Sequence, residues 1–424
     1  MMKILSSRFL VWGILCIGLF GSTLWPKAAF ALPTFAQAYQ VDCSVCHSFV
    51  PALNAYGRYV QSTAFGALDP KVLHKVLPIV IRESASYKST GDLDTINAQT
   101  KQLKYTWLGV SVNVVGAINK YVSYRLEQSL YSNNRGGGNT GHFWVSYNQL
   151  LKGDGHLILG KFDAPAPPAY SFWMDSGLKE GSITVGQHSY NIGGQRWGVG
   201  FNYVPINYEK QPYKVQVAYV GNSPGMYNNT AFDSLAGSDR AFQYKVAFAR
   251  PDNPVEVGVY GAVGTYMLSN YANPIDNYGV QGLYAERDPI GSFPGLLLNY
   301  QRTNDSNIGP GGGLTQNASS WAYAFEVDES FLNGDVVVGF RPVEFLGGYS
   351  STPAKTGGYY NYGYTRPHYG NFDILLRDPK LSPYFYLTAE QDYAGTAYVA
   401  APYNPNGLPL WSISLKWAGP IQRL

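Results

Sequence analysis

From Pro78 to the C-terminus the chain repeats one unit, a segment of about ten residues in which apolar and polar side chains alternate between turn residues. Leu108, Val110, Val112 and Val114 alternate with Trp107, Gly109, Ser111 and Asn113; Phe242, Tyr244, Val246 and Phe248 alternate with Gln243, Lys245, Ala247 and Ala249. Sixteen segments follow this rule: 78–89, 105–116, 120–131, 141–150, 155–162, 194–204, 212–221, 240–249, 254–265, 277–287, 294–303, 319–329, 334–342, 367–377, 383–392 and 409–417. Their connections sort by length. Those at 117–119, 151–154, 205–211, 250–253, 288–293, 330–333 and 378–382 are short, and those at 90–104, 132–140, 163–193, 222–239, 266–276, 304–318, 343–366 and 393–408 are long. A soluble sandwich has no reason to sort its loops. Short turns at one end and long loops at the other fit an antiparallel barrel that turns its apolar face to lipid and its polar face to a lumen.

Composition agrees with that reading. The chain has 35 Tyr and 47 Gly but only 14% charged residues. After the first thirty or so residues there is no apolar run long enough for a transmembrane helix. Few charges, many aromatics and no hydrophobic helix predict an all-β fold: a 16-stranded antiparallel transmembrane β-barrel, whose lumen is wide enough for an aqueous channel. One feature departs from the usual pattern, since the chain runs past Trp417 to Leu424 rather than ending on an aromatic.

The N-terminus carries export signals. Lys3 and Arg8 precede an apolar run from Phe9 to Phe20, and Ala29-Phe30-Ala31 has the form of a cleavage site, so residues 1–31 are expected to be a signal peptide. Cys16 lies inside that signal. Its removal takes away Lys3, Arg8 and Lys27 and no acid, so the net charge of +3 becomes zero. A neutral mature chain gives no basis for nucleic-acid binding.

Cys43-Ser44-Val45-Cys46-His47 is the one cysteine pair outside the signal. The C-x-x-C-H spacing is that of a c-type haem attachment site. Two thiols on one turn form thioethers with the haem vinyl groups, and the adjacent histidine becomes the proximal ligand of the iron. Composition alone would yield roughly 0.0003 accidental matches to this pattern. The competing readings are a local disulfide or a redox C-x-x-C pair. No βαβ pattern surrounds this pair, and the expected cofactor is one covalent haem c on Cys43 and Cys46 with His47 on the iron.

Residues 32–77 are too few to bury a stable core alone, even around a haem. They are therefore expected to form a partly helical haem-binding plug inside the barrel of residues 78–424, the alternative being a segment hanging below the pore. Leu53, Tyr56 and Val60 fall at helical spacing after Pro51.

Pro33-Thr34-Phe35-Ala36, Cys43-Ser44-Val45-Cys46-His47, Pro51-Ala52-Leu53-Asn54 and Gly57-Arg58, followed by a barrel, resemble the fused cytochrome–porins of iron-oxidising bacteria. The specific likeness covers 33–58; beyond it the likeness is architectural. The resemblance implies an outer-membrane protein that takes electrons from extracellular Fe(II) and passes them through one haem to a periplasmic c-type cytochrome or other electron carrier. It implies action of the Fe(II):cytochrome c oxidoreductase type, long loops outside the cell and both termini in the periplasm.

Within 32–77 the only further ligand for the sixth iron position is His74; the rival reading makes it a solvated residue that ends the plug. His142 and His156 lie in wall strands and can face inward, whereas His188 and His368 belong to or border long loops, and Met174, Met226 and Met267 lie in loops. Arg58 is a haem-propionate candidate, since a guanidinium grips a carboxylate with two parallel bonds, against the reading of an ordinary helix-surface charge. Asp163, Asp175, Glu180 and His188 in 163–193, with Glu127, Glu256 and Glu326 in the wall, are oxygen and nitrogen donors for a hard divalent ion, but they show no metal-site spacing. Two alternatives stay open: a diffusion porin with a haem-bearing gate or sensor, and the same conduit running outward to an extracellular acceptor.

Overall fold

The computed structural model describes residues 34–41, 43–49, 52–75, 78–90, 104–132, 140–166, 182–185, 188–191, 195–221, 240–267, 275–289, 293–306, 318–331, 336–350, 366–377, 386–394 and 410–420. The expected signal peptide, 1–31, lies outside them.

Sixteen antiparallel strands close into one barrel. They are β1 (Ile79–Thr90), β2 (Lys104–Ala117), β3 (Val122–Ser132), β4 (Thr140–Leu150), β5 (Gly155–Asp163), β6 (Gln195–Tyr203), β7 (Tyr213–Gly221), β8 (Arg240–Ala249), β9 (Val255–Met267), β10 (Ile275–Arg287), β11 (Gly295–Ser306), β12 (Ala318–Phe331), β13 (Val336–Ser350), β14 (Arg366–Arg377), β15 (Tyr386–Ala394) and β16 (Leu410–Pro420). Each pairs with its chain neighbours, and β16 closes on β1 from Ser412↔Thr90 to Pro420↔Arg82. Closure leaves no open edge, which a sheet immersed in hydrocarbon requires. The strand expected to end at Trp417 therefore continues through Pro420, because those residues are needed for the seam.

Two local differences from the expected pattern have physical causes. β13 was expected to stop at Pro342 and instead runs to Ser350, with a register irregularity between Arg341 and Glu344. A bulge is how a sheet accommodates a proline that cannot donate to the ladder. Within the long connection 163–193, Ser182–Val185 and His188–Asn191 pair as a small hairpin, a sheet separate from the barrel in which Ser182–Val185 lies against β11 and β12.

The side chains are sorted as a lipid-facing wall demands. Along β8, Phe242, Val246 and Phe248 are exposed while Ala241, Gln243, Lys245 and Ala247 are buried. Phe242 is 47% exposed and Gln243 0%. β4 repeats this, with Phe143, Val145 and Tyr147 outward and His142, Trp144, Ser146 and Asn148 inward. Exposed apolar and buried polar residues invert the soluble pattern, as in a barrel solvated by acyl chains. Inward rings need room, and glycine supplies it: a Cβ on Gly282 would lie 2.2 Å from the ring of Tyr260.

The N-terminal segment packs against the inside of this wall. It contains α1 (Thr34–Tyr39), a 3-10 turn at Cys43–Val45, a short ribbon pairing His47–Phe49 with Ala52–Leu53, α2 (Ala55–Ser62) and α3 (Pro70–Leu73). The helix expected from Leu53, Tyr56 and Val60 is α2, but Leu53 falls in the ribbon because Asn54 caps the helix after it.

The segment meets the wall near its short-turn end. Asn202 Nδ2 donates to Ser62 O (2.8 Å), and Ser123 Oγ donates to Ala64 O. Phe65 inserts between Phe35 (5.0 Å between centroids) and the wall residue Trp144 (5.5 Å, stacked). To reach that slot Ala64 and Phe65 adopt φ of 49° and 65°. For a bulky side chain this left-handed conformation is strained, and here packing on both ring faces sustains it.

Candidate functional site

The C-x-x-C-H motif is organised by one residue, Asn54. Its Oδ1 accepts from Gly57 N (2.9 Å), which caps α2. Its Nδ2 donates to Ser44 O (3.0 Å) and Val45 O (3.1 Å), and its backbone N donates to Cys46 O (3.0 Å). The first turn of α2 and the motif turn are thereby one unit. Contact between them is so close that a Cβ on Gly57 would lie 2.1 Å from Cys46 O. No residue but glycine fits there.

The donor set suits a covalent haem. Cys43 opens the 3-10 turn, although its side chain lies outside the described atoms. Cys46 is a half-buried free thiol whose pKa burial raises. Beside His47, the Ser48 hydroxyl is buried with no hydrogen-bond partner among the described residues, an orphan that fits an additional group lying against this turn. Cys43, Cys46 and His47 would hold the haem.

α2 is fixed to the wall by a buried cluster of charges. Arg58 Nε donates to Glu256 Oε2 (3.2 Å). Its Nη1 donates to Leu53 O (2.8 Å), Glu286 Oε1 (3.0 Å) and Asp288 Oδ1 (2.6 Å), and its Nη2 to Asp288 Oδ2 (3.3 Å). Glu256 also accepts from Lys214 Nζ (2.9 Å) and Tyr284 Oη (2.6 Å), and Lys245 Nζ lies 3.2 Å from it. Burial alone would lower the Arg58 pKa, but Glu286, Glu256 and Asp288 around it outweigh that and hold it above the ordinary value. For Asp288, in the turn after β10, burial raises the pKa against the opposing pull of Arg58. Asp288 Oδ2 also accepts from Ala55 N (2.8 Å), so one carboxylate holds both the backbone and the guanidinium of α2.

This geometry corrects the expectation for Arg58. It is 6% exposed, and every guanidinium nitrogen is engaged by wall carboxylates, so it is an anchor of α2 rather than a haem-propionate partner or a surface charge. His74 Nε2 lies 2.7 Å from Ala117 O at the end of β2, which ties α3 to the wall. Of the inward histidines, His142 has Nδ1 2.7 Å from Glu127 Oε2 and Nε2 2.8 Å from Asp163 Oδ2. Because its two ring nitrogens face carboxylates on opposite edges, the three do not converge on one ion. Among the described residues no group of His, Cys, Asp and Glu is arranged to hold a metal. His156 Nδ1 lies 3.2 Å from Asn148 Oδ1. Met174, Asp175, Glu180 and Met226 lie outside the described residues, as do the side chains of His188, Met267, Glu326 and His368.

Sequence reasoning missed Asn54, Glu286, Asp288 and the Phe65–Trp144 stack. Asn54 had a readable signal, a capping residue just before a helical run. The others had none, because each depends on which strand stands opposite the segment. Beside α2 a cavity of about 100 Å³ lies between segment and wall, lined by Leu53, Gln61 and Phe65 on one side and by Arg125, Phe162 and Lys245 on the other.

No family model matches the chain, and no curated protein matches it. Solved structures do. OmpF of Salmonella typhi in complex with daunomycin aligns at 8% identity with a TM-score of 0.51, covering 80% of this chain and 96% of that one. An anion-selective porin from Comamonas acidovorans aligns at 11% identity and a TM-score of 0.50, covering 80% and 98%. At such identity the likeness is one of fold: the barrel is porin-like.

Proposed function

We propose that the chain is an outer-membrane monohaem c-type cytochrome–porin that carries electrons from extracellular Fe(II) to a periplasmic carrier. The observation that carries this reading is the C-x-x-C-H turn clamped by Asn54 onto α2, with α2 in turn anchored by Arg58 inside the wall. The specific resemblance of 33–58 to cytochrome–porins supplies Fe(II) as the donor, and the porin-like barrel supports placement in the outer membrane. Phe242, Val246 and Phe248 face lipid in this reading, the long connections face outward, and the short turns and both termini face the periplasm after loss of 1–31.

Cys43 and Cys46 would hold the haem and His47 would ligate its iron; His74, whose Nε2 meets Ala117 O, would have only Nδ1 left to serve as the candidate second ligand. Bound there, the haem supplies one-electron chemistry at its iron. The chain's own residues do the positioning: Asn54 fixes the turn, and Arg58, Phe65 and His74 hold the segment at the short-turn end of the lumen. Tunnelling weakens steeply with distance, so a single centre serves two membrane faces only if the barrel lets donor and acceptor approach it.

The diffusion-porin reading, with the haem segment as gate or sensor, draws on the cavity of about 100 Å³ left between α2 and the wall. A conduit running outward differs only in the direction set by redox potentials. The deciding experiment adds Fe(II) to purified protein and follows the haem spectrum. Reduction in the wild type, lost in His47→Ala while the barrel still assembles, is the expected result. No reduction in the wild type, with free passage of solutes through reconstituted protein, favours the porin.

A further inference from the structure

At the short-turn end, α3 and the connections after β2 and β4 form one face. Leu73 packs on Ala117, and His74 meets the Ala117 carbonyl, which places α3 on the inner side of the wall. On this face Lys71, Lys75, Lys120 and Lys152 are all exposed. None of the four is ion-paired with a described carboxylate. The acids nearby are committed elsewhere. Asp69 Oδ1 accepts from Lys71 N (2.9 Å) at the start of α3, and Asp154 Oδ1 accepts from Ile206 N (2.8 Å). Asp252 pairs with Arg250 (2.6 Å), and Asp288 is buried against Arg58. Glu209 is offset by its neighbour Lys210. Asp69 and Asp154 keep their charge, but with Asp252 and Asp288 paired to arginines the four lysines outnumber them, and the described part of this rim is net basic.

We infer that this basic face is the docking surface for a soluble protein with an acidic patch, the carrier that exchanges electrons with the haem; this rests on the conduit reading above. Two observations favour a soluble protein over lipid headgroups. Lys71 lies on α3 and Lys75 in the turn that follows it, inside the ring of strands, where the membrane surface does not reach. The face also belongs to the segment that carries the motif: Asp69 N donates to Tyr39 Oη (2.5 Å), which ties the start of α3 to α1. Exposed like charges around a redox centre raise the encounter rate with an oppositely charged partner and make it depend on salt.

The test uses full-length holoprotein in nanodiscs of zwitterionic lipid, with fluorescent poly-L-glutamate as probe and poly-L-lysine as control. Wild type binds polyglutamate in preference to polylysine, and added salt weakens the binding. The variant K71E/K75E/K120E/K152E loses about tenfold or more in affinity, while the corresponding four Lys→Arg changes retain it. Equal binding by wild type and the charge-reversed variant overturns the proposal, as does equal binding of the two polymers. Polyglutamate binding that disappears for the wild type in phosphatidylglycerol nanodiscs assigns the lysines to lipid and also overturns it. Fe(II)-dependent haem reduction on the same samples separates the two readings. Reduction without polyglutamate binding removes the docking surface alone; binding without reduction removes the conduit and with it the carrier.

Discussion

Arg58 Nη1 and Asp288 Oδ1 lie 2.6 Å apart although 230 residues separate them in the chain. The pair joins the first helix after the C-x-x-C-H motif to the turn that follows β10, and with Glu256 and Glu286 it seals that helix to the wall. A buried cluster of this kind adds little net stability over apolar packing, but breaking it is costly because the remaining charges have nowhere to go. Its contribution is position.

Arg58→Met leaves Glu256, Glu286 and Asp288 facing one another with less cation between them. The expected loss is about 3–5 kcal/mol for the docked segment. Limited proteolysis should cut between residues 34 and 75 in the variant while the barrel remains heat-modifiable on gels. Protection equal to wild type would mean that the ion pairs do not hold the segment.

Phe65→Ala removes a ring packed between Phe35 and Trp144, with an expected cost of about 3–5 kcal/mol. The Trp144 contribution to the emission, isolated by comparison with Trp144→Phe, reports the loss, since its stacked partner is gone. Unchanged emission and unchanged protease resistance would show that the stack is incidental.

Asn54→Ala removes a helix cap and two bonds to the motif turn. The capping loss alone is about 1 kcal/mol. The expected phenotype is a lower ratio of haem stain to barrel protein, with Asn54→Asp keeping the cap but not the donations to Ser44 and Val45. If Asn54→Ala loads haem as fully as wild type, the clamp plays no part in attachment.

Covalent haem on Cys43 and Cys46 should survive acid–acetone extraction and denaturing gels. Cys43→Ala with Cys46→Ala should abolish staining without preventing barrel assembly. Haem extracted from the wild-type polypeptide would remove the basis of the cytochrome reading.

Protease sites placed in 163–193 or 304–318 should be cut on intact cells, and those placed in 151–154 or 378–382 should not. Equal access at both ends of the barrel, or the reverse pattern, would overturn the assigned orientation.

The sequence by itself determined the wall. Period-two alternation and the sorting of short and long connections are local properties, written residue by residue, and they located all sixteen strands: the segment expected at 240–249 is Arg240–Ala249. Where the strand reading slipped, at Pro342 and beyond Trp417, the cause was pairing, since a bulge or a closing seam is settled by the strand opposite. The C-x-x-C-H spacing is local in the same way, since five adjacent residues spell it. What only the tertiary structure decided is who meets whom across the lumen. Arg58 reads in sequence as a helix-surface charge or a propionate partner, and it becomes a buried anchor because closure brings Glu256, Glu286 and Asp288 to the place where α2 docks. Phe65 likewise accepts a left-handed backbone because Trp144 stands inward from β4. Contacts between residues 79 and 230 positions apart are fixed by strand order, register and barrel closure, none of which a local pattern encodes.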